Sequence, residues 1–175
     1  MLLLVSDANI LIDIEEGGLL EVLFHLPYQL VTPDILYFEE LEDQHGHLLQ
    51  LGLQTLELSP ESMREAGRLI KRYRKPSAND CFALALAMQE QCPLLTGDQS
   101  LRQAAVQEQI EVKGTLWVVE ELVQRRVIAI DRAHEAYSSM KANGRRLPWE
   151  KAKERLVTLG LDLNRTPEST RGKWL

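Results

Sequence analysis

Short apolar runs alternate along the chain with longer segments in which apolar positions recur every three or four residues. The short runs predict five strands: Leu2–Ser6, Gln29–Thr32, Gln54–Leu58, Leu94–Thr96 and Ile110–Val112. Strands interleaved with helices favour a parallel sheet with helices on both faces. The pattern therefore predicts an α/β fold whose ligand site lies beyond the carboxyl ends of the strands.

Capping signals mark where the helices begin. Thr32-Pro33-Asp34 and Ser59-Pro60-Glu61 each place a capping hydroxyl before a proline and an acid, which predicts helices Pro33–Gln44 and Pro60–Tyr73. Ser77-Ala78-Asn79-Asp80 is typical of a capping box and opens a helix that continues to Gln91. The remaining predicted helices are Asp98–Gln107, Leu116–Arg125, Asp131–Lys141 and Trp149–Thr158, followed by a polar tail that we expect to be loose.

Composition narrows the class of protein. The chain has 175 residues, of which 45% are hydrophobic and 26% charged, as in a single globular domain. The longest apolar runs fall well short of the roughly 20 residues that span a bilayer, so we expect no membrane association. Two cysteines, Cys81 and Cys92, provide neither a disulfide framework nor zinc-ligand spacing, which predicts a reducing, cytoplasmic location.

Charge is distributed unevenly. Twenty-six acids against 20 bases give a net charge of −6, which argues against a protein that coats nucleic acid. Yet six bases lie between Arg64 and Lys75, directly before Asp80. They are either a solvated helix face paired with neighbouring glutamates or a surface that binds phosphates. The candidate nucleic-acid-binding residues are Arg68, Lys71, Arg72, Arg74 and Lys75. A second basic group, Arg145–Arg155, is interpreted as ordinary surface.

Several acids occupy positions that suggest chemistry, although each also has a structural explanation. Asp7 and Asp98 follow predicted strands, Asp80 belongs to the capping box, and Glu39 and Glu40 lie within a predicted helix that is unusually apolar. Carboxylates that converge at one sheet edge repel one another unless protons or cations neutralise them. Hard divalent ions with oxygen ligands, Mg²⁺ or Mn²⁺, meet that need.

Four segments together resemble the PIN (PilT N-terminal) family. They are Ser6-Asp7-Ala8-Asn9, Pro33-Asp34-Ile35-Leu36-Tyr37-Phe38-Glu39, Asn79-Asp80 with Ala83–Ala87, and Leu94-Leu95-Thr96-Gly97-Asp98. No single segment is specific, but their order and spacing are. In the family, the glutamate of the second motif is usually followed by leucine, which points to Glu40 before Leu41. The spacing from Pro33 instead favours Glu39, which we prefer.

The resemblance implies a three-layer α/β/α sandwich, Rossmann-like, with a central parallel sheet of about five strands. It also implies a metal-dependent endoribonuclease that leaves 5′-phosphate and 3′-hydroxyl ends. Asp7, Glu39 (or Glu40), Asp80 and Asp98 would hold one or two Mg²⁺ or Mn²⁺ ions and form the catalytic site. Asn9 and Thr96 would orient those carboxylates or a water molecule.

Further expectations concern organisation and partners. We expect a nuclease domain over residues 1–125, a helical extension over 126–160 packed on the same domain, and a loose tail over 161–175. Many relatives are toxins of bacterial toxin–antitoxin pairs of the virulence-associated type. We therefore expect an RNA substrate, a small antitoxin protein and a homodimer. The alternative is a catalytically silent PIN fold that binds RNA or protein.

Overall fold

The core of the molecule is a five-stranded sheet in which every pair of neighbouring strands is parallel. The structure, a computed structural model, describes residues 1–165. The strands lie in the order β3-β2-β1-β4-β5. Their bounds are β1 Leu2–Ser6, β2 Tyr28–Pro33, β3 Gln54–Leu56, β4 Leu94–Leu95 and β5 Val112–Lys113. Helices flank the sheet, and the predicted three-layer α/β/α class is confirmed.

The helices connect the strands and continue beyond the last one. They are α1 Ala8–Glu16, α2 Leu20–Leu23, α3 Asp34–Leu36, α4 Glu42–His45, α5 Leu48–Leu51, α6 Pro60–Arg72, α7 Ala78–Glu90, α8 Gln99–Gln107, α9 Thr115–Gln124, α10 Ile130–Ala142 and α11 Trp149–Arg165. A π-helical turn, Tyr37–Leu41, separates α3 from α4. None of the helices within residues 1–165 is long and apolar enough to cross a membrane.

The prediction of an α-helix over Pro33–Gln44 is wrong in two respects. The helical segment begins after Pro33, and Tyr37–Leu41 has π-helical hydrogen bonding. Pro33 has an extended backbone (ψ 138°) and pairs with Leu56, so β2 includes it. The Thr32 hydroxyl does not cap a helix, because it donates to the Ser6 carbonyl oxygen of β1, 3.1 Å away. The chain then turns through α3, the π-helical turn and α4 in place of one continuous α-helix. Such π-helical turns occur frequently at functional sites.

The other predicted helix starts are confirmed. Ser59 caps α6 by accepting from the backbone N–H of Ser62, with Pro60 in the first turn. Ser77 and Asp80 form the predicted reciprocal capping box of α7. Residues Ala83–Ala87 of α7 are fully buried, which places this helix in the centre of the core.

The last helix is longer than predicted. α11 extends to Arg165, seven residues beyond the predicted end at Thr158, so residues 161–165 belong to a helix and not to a loose tail. Its buried Ala152 and Leu156 contribute to the same core as the sheet, and α11 packs on α9 and α10. The remainder of the predicted tail, residues 166–175 with Trp174, lies outside the described residues.

Candidate active site

Asp7 is the most deeply buried acid of the predicted set. It follows β1 and is 2% exposed. One carboxylate oxygen caps α1 by accepting from the Ile10 N–H at 2.9 Å, and the other accepts from the Thr96 hydroxyl. Burial raises the pKa of Asp7 to about 7, against the lowering effect of these two hydrogen bonds. The negative charge of Asp80 raises it further, so these two carboxylates interact electrostatically.

Asp98 leaves the sheet beside Asp7. Strand β4 pairs with β1 through Val5–Leu94 and Ser6–Leu95, which puts the ends of both strands at the same edge. The backbone N–H of Asp98 donates to the Thr96 hydroxyl oxygen at 3.1 Å, and that hydroxyl in turn donates to Asp7. Thr96 therefore contacts Asp7 at its carboxylate and Asp98 at its backbone N–H, and its orienting role stays a prediction.

The carboxylate of Asp98 also caps a helix. Its Oδ1 accepts from the Leu101 N–H at 2.8 Å and from the Ser100 hydroxyl, so α8 begins at this acid. Oδ2 of Asp98 has no hydrogen bond to another residue within 1–165. The structural and functional interpretations of Asp98 are therefore compatible, since capping occupies one oxygen and leaves the other available.

The carboxylate of Asp80 likewise uses one of its two oxygens in helix capping. Its Oδ2 accepts from the Ser77 N–H at 2.9 Å, while the Ser77 hydroxyl accepts from the Asp80 N–H at 3.0 Å. Within residues 1–165, Oδ1 of Asp80 has no hydrogen-bond partner. Helix α7 packs against β1, β2 and β4, which holds its first turn near the carboxyl edge of the sheet.

Glu39 and Glu40 are both exposed, so neither is the embedded carboxylate that the apolar sequence around them suggested. Both accept from one donor, the side-chain amide of Asn79, which lies 2.9 Å from Glu39 Oε2 and 2.9 Å from Glu40 Oε1. The π-helical turn that carries them is thereby tied to the residue before Asp80. This contact does not favour Glu39 over Glu40.

Asn79 was not singled out from the sequence, although it stands in the segment that resembles the third family motif. An amide next to a helix cap gives no sign of its partner 40 residues away. Its Oδ1 is buried and has no hydrogen-bond partner within the described part of the chain. A polar group or water molecule at that point would satisfy it.

A buried ion pair adjoins the acids and was also not predicted. Asp13 is 5% exposed and accepts from the Thr115 hydroxyl at 2.8 Å and from Nε of Arg145. A terminal nitrogen of Arg145 lies 3.3 Å from Asn9 Oδ1. Asn9, predicted to orient carboxylates or water, therefore contacts the extension that follows α10. No pattern in the sequence links an acid of α1 to an arginine 132 residues later.

An open cleft of about 470 Å³ lies beside Asp98, the one residue of the predicted acidic set among its described lining residues. We call it the acidic cleft after Asp13 and Asp98, although Arg145 and Arg146 also line it. It is lined by Asn9, Asp13, Gly97, Asp98 and the segment Gly144–Leu147. Its position beyond the carboxyl ends of β1 and β4 is where open parallel sheets bind ligands.

Carboxylate oxygens are suitable ligands for a hard divalent cation, but the predicted acids are not arranged around a single metal position. Within residues 1–165, no group of three or more acidic, histidine or cysteine side chains is arranged to hold a metal ion. Asp7, Asp80 and Asp98 nevertheless supply oxygen donors, and a buried carboxylate whose pKa is raised to about 7 gains most from a nearby positive charge.

The predicted basic surface on α6 is partly neutralised. The Arg68 guanidinium contacts Glu108 at 2.8 Å and Glu65 at 2.7 Å, and Arg72 contacts Glu108 at 3.4 Å. Glu108 is at the C-terminal end of α8, whereas Asp98 caps its start, roughly 15 Å away for a helix of this length. Lys71, Arg74 and Lys75 are exposed.

Comparison with protein-family models agrees with this architecture. The DUF3368 model, a PIN domain, matches residues 3–160, which is most of the chain and includes the helices after β5. The chain belongs to this PIN-domain family and has a nuclease-type fold. A search of the curated proteins found no significant match.

Proposed function

We propose that the protein is a metal-dependent endoribonuclease that hydrolyses phosphodiester bonds in RNA. The observation that carries the proposal is the linkage of Asp7 and Asp98 through the Thr96 hydroxyl at the carboxyl edge of β1 and β4. An acid needed only as a helix cap would not have to be almost fully buried and to interact electrostatically with Asp80. Membership of the PIN-domain family supports the nuclease class.

Asp7, Asp80 and Asp98 would hold Mg²⁺ or Mn²⁺, together with Glu39 or Glu40. When bound, such an ion lowers the pKa of water and neutralises charge on the phosphoryl oxygens and the departing oxygen. Each acid except the two glutamates is fixed by a helix-capping hydrogen bond, so the oxygen that faces away from the cap has a defined direction. This preorganisation supports a role in positioning both ion and substrate.

The surrounding side chains hold the acids in place. Thr96 fixes the second oxygen of Asp7 and the backbone of Asp98. Asn79 brings the exposed Glu39 and Glu40 toward the first turn of α7. In the absence of a cation, the proton that Asp7 retains near pH 7 keeps its repulsion with Asp80 small.

The test is cleavage of a single-stranded RNA by the full chain in Mg²⁺ or Mn²⁺, and then in excess chelator. We expect cleavage only with metal, with 5′-phosphate ends, and a loss of at least about 100-fold in Asp98→Asn, or about 2.7 kcal/mol of barrier. Asp131→Asn, an exposed acid in the first turn of α10, is the matched control and should cleave normally. Equal cleavage in chelator would refute the metal mechanism.

One observation favours the alternative, a catalytically silent PIN module that binds RNA or protein: no three of the described acids are arranged as ligands. The same assay separates the two functions. A silent module would bind RNA with measurable affinity yet release no product in either metal, and Asp98→Asn would not change that binding.

The toxin role and the small antitoxin rest on the family resemblance. The genes beside the coding sequence provide the test. A short neighbouring reading frame for a small DNA-binding protein that copurifies with this chain would support a toxin–antitoxin pair. A copurification experiment without such a partner would contradict it.

A further inference from the structure

A second open cleft, of about 510 Å³, lies beside the acidic cleft, where the first turns of α8, α9 and α11 meet. We call it the basic cleft. Five cationic side chains line it: Arg102, Lys113, Arg146, Lys151 and Arg155. Among the described residues that line it, none is acidic. In a chain whose net charge is −6, this concentration of positive charge indicates an anionic ligand.

Two of the five cations are free to contact a ligand. Arg155 is paired with Glu120 at 2.6 Å and Lys113 with Glu111 at 2.8 Å. Arg146 and Lys151 are exposed, and neither has an ion-pair or hydrogen-bond partner within residues 1–165. The basic cleft therefore contains positive charge that the protein itself does not neutralise.

Arg102 lines the basic cleft next to the backbone of Thr96. A terminal nitrogen of its guanidinium lies 3.4 Å from the carbonyl oxygen of Thr96. Its positive charge therefore lies next to Thr96, the residue that contacts both Asp7 and Asp98.

The basic cleft adjoins the acidic cleft. Gly97, Arg146 and Leu147 line both. Apart from the two chain neighbours of Gly97, no atom lies within 4 Å of the point where its Cβ would stand, so this side of Gly97 is open. A polymer that leaves the basic cleft across Gly97 meets Asp98, which lines the acidic cleft.

The chemistry of the basic cleft favours phosphates over bases. Among the described residues that line it, the one aromatic side chain is Trp117, which packs against the Tyr28 ring at 5.6 Å and lies under the Lys113 ammonium at 4.6 Å. Because the ring is engaged in these contacts, it is not a free platform for base stacking. Apart from the side-chain amide of Gln99, the available side-chain donors are the charged groups of Arg146 and Lys151, and contacts of such groups to RNA phosphates do not depend on sequence.

We propose that the basic cleft binds the phosphates of the single-stranded RNA next to the bond that is cut, with Arg146 and Lys151 as the principal contacts. The inference rests on the proposed function and names the path of its substrate. It differs from the expectation that α6 binds the RNA, because Arg68 and Arg72 are already paired with Glu108 at the far end of α8.

The test compares two double variants of the full chain, Arg146→Ala with Lys151→Ala, and Lys71→Ala with Lys75→Ala. All four side chains are exposed, so both variants should melt like the wild type. The dissociation constant of a single-stranded RNA oligonucleotide is measured in chelator at several salt concentrations. Each lost phosphate contact should reduce the slope of log affinity against log salt by about 0.7.

We expect the Arg146/Lys151 variant to lose about 1.4 of this slope and about tenfold or more in low-salt affinity. The Lys71/Lys75 variant should keep the slope of the wild type. The opposite result, with only the Lys71/Lys75 variant affected, would overturn the proposal in favour of α6. An unchanged slope in both variants, or no RNA binding by the wild type, would overturn it as well.

A second pair of variants tests the passage from the basic cleft to the acidic cleft across Gly97. Gly97→Ala should bind RNA normally, because its Cβ meets open space, whereas Gly97→Glu places a carboxylate in the passage and should weaken binding at low salt by about tenfold. Equal affinities would contradict the continuous path. Since binding in chelator does not depend on cleavage, RNA binding through Arg146 and Lys151 without metal-dependent cleavage would refute the nuclease and still support phosphate binding by the basic cleft.

Discussion

The hydroxyl of Thr96 donates a hydrogen bond to the carboxylate of Asp7 across two neighbouring strands of the sheet. Both residues are buried, and Thr96 also accepts from the backbone N–H of Asp98. One small side chain thus fixes the relative positions of the two acids that the proposed mechanism requires. Threonine provides both the donor and the acceptor, which valine of similar shape cannot.

Replacing Thr96 with valine should therefore affect both stability and chemistry. The Asp7 oxygen and the Asp98 N–H would each lose a partner, which should cost about 1 to 3 kcal/mol in the free energy of unfolding. Losing a donor to the charged form should also raise the pKa of Asp7 above its value of about 7. Urea unfolding at neutral pH measures the first effect. Thr96→Ser retains the hydroxyl and should recover most of the loss; an equally unstable serine variant would contradict this role.

Asp7 should make stability depend on pH. Its pKa rises from 3.8 to about 7 on folding, so the folded state holds a proton that the unfolded state has already released between these values. Stability from this group is complete below about pH 4 and falls as the pH rises, by on the order of 4 kcal/mol above pH 7.

Asp7→Asn removes this dependence, because its amide does not ionise. The amide oxygen can still accept from the Ile10 N–H, and the NH2 group can donate to the Thr96 hydroxyl oxygen as the O–H of a protonated carboxyl would. In metal-free buffer the variant should match the wild type near pH 4 and exceed its free energy of unfolding by several kcal/mol at pH 8. Urea titrations at four pH values provide the measurement. A stability difference that does not change with pH would show that Asp7 is not a buried, neutral acid.

Asp80 should prove to be both a helix cap and part of the metal site. Asp80→Asn keeps an acceptor for the Ser77 N–H and removes a charge that opposes ionisation of Asp7. Metal-free stability should therefore stay equal or rise, while RNA cleavage falls by about 100-fold or more. Ser77→Ala is the matched control: it should cost about 1 kcal/mol of stability and leave cleavage unchanged. An Asp80→Asn variant that melts lower and cleaves normally would leave Asp80 a cap alone.

The Arg145–Asp13 ion pair should connect the C-terminal helices to α1. Arg145→Ala leaves the buried Asp13 carboxylate with Thr115 alone and should cost about 3 kcal/mol of unfolding free energy. Adding Asp13→Asn removes the uncompensated charge, so the double variant should be more stable than Arg145→Ala. Thermal melts of both variants provide the comparison, and equal melting temperatures would contradict a buried-charge cost.

The sequence predicted those features that depend on local chemistry. Strand β1 and the caps of α6 and α7 were recognised because apolar runs, proline and capping hydroxyls act over a few residues. Pro33 was assigned to a helix, although the strand pairing with Leu56 keeps it extended. That pairing is a long-range contact, which no local signal at Thr32-Pro33-Asp34 reveals.

For the candidate site, too, the sequence predicted what local signals and strand order determine, but not the contacts between distant segments. Asp7 and Asp98 were predicted to lie together because parallel strands end at one edge, and β1 and β4 are neighbours. The Asn79 contacts with Glu39 and Glu40 join segments 40 residues apart, and Arg145 reaches Asp13 across 132 residues. Such pairs depend on the packing of whole helices. Three cations of the basic cleft, Arg146, Lys151 and Arg155, belong to the second basic group that we interpreted from the sequence as ordinary surface. Only the packing of α8, β5 and α11 brings Arg102 and Lys113 next to them.

Calorimetric titration of Mn²⁺ into the metal-free protein tests the central claim most directly, because it asks whether these acids hold an ion. The wild type and the control Asp131→Asn should bind Mn²⁺ with the same affinity, whereas Asp7→Asn and Asp98→Asn should each lose at least about tenfold, or about 1.4 kcal/mol. Wild-type protein that binds no Mn²⁺, or site variants that bind it as tightly as Asp131→Asn does, would contradict the account.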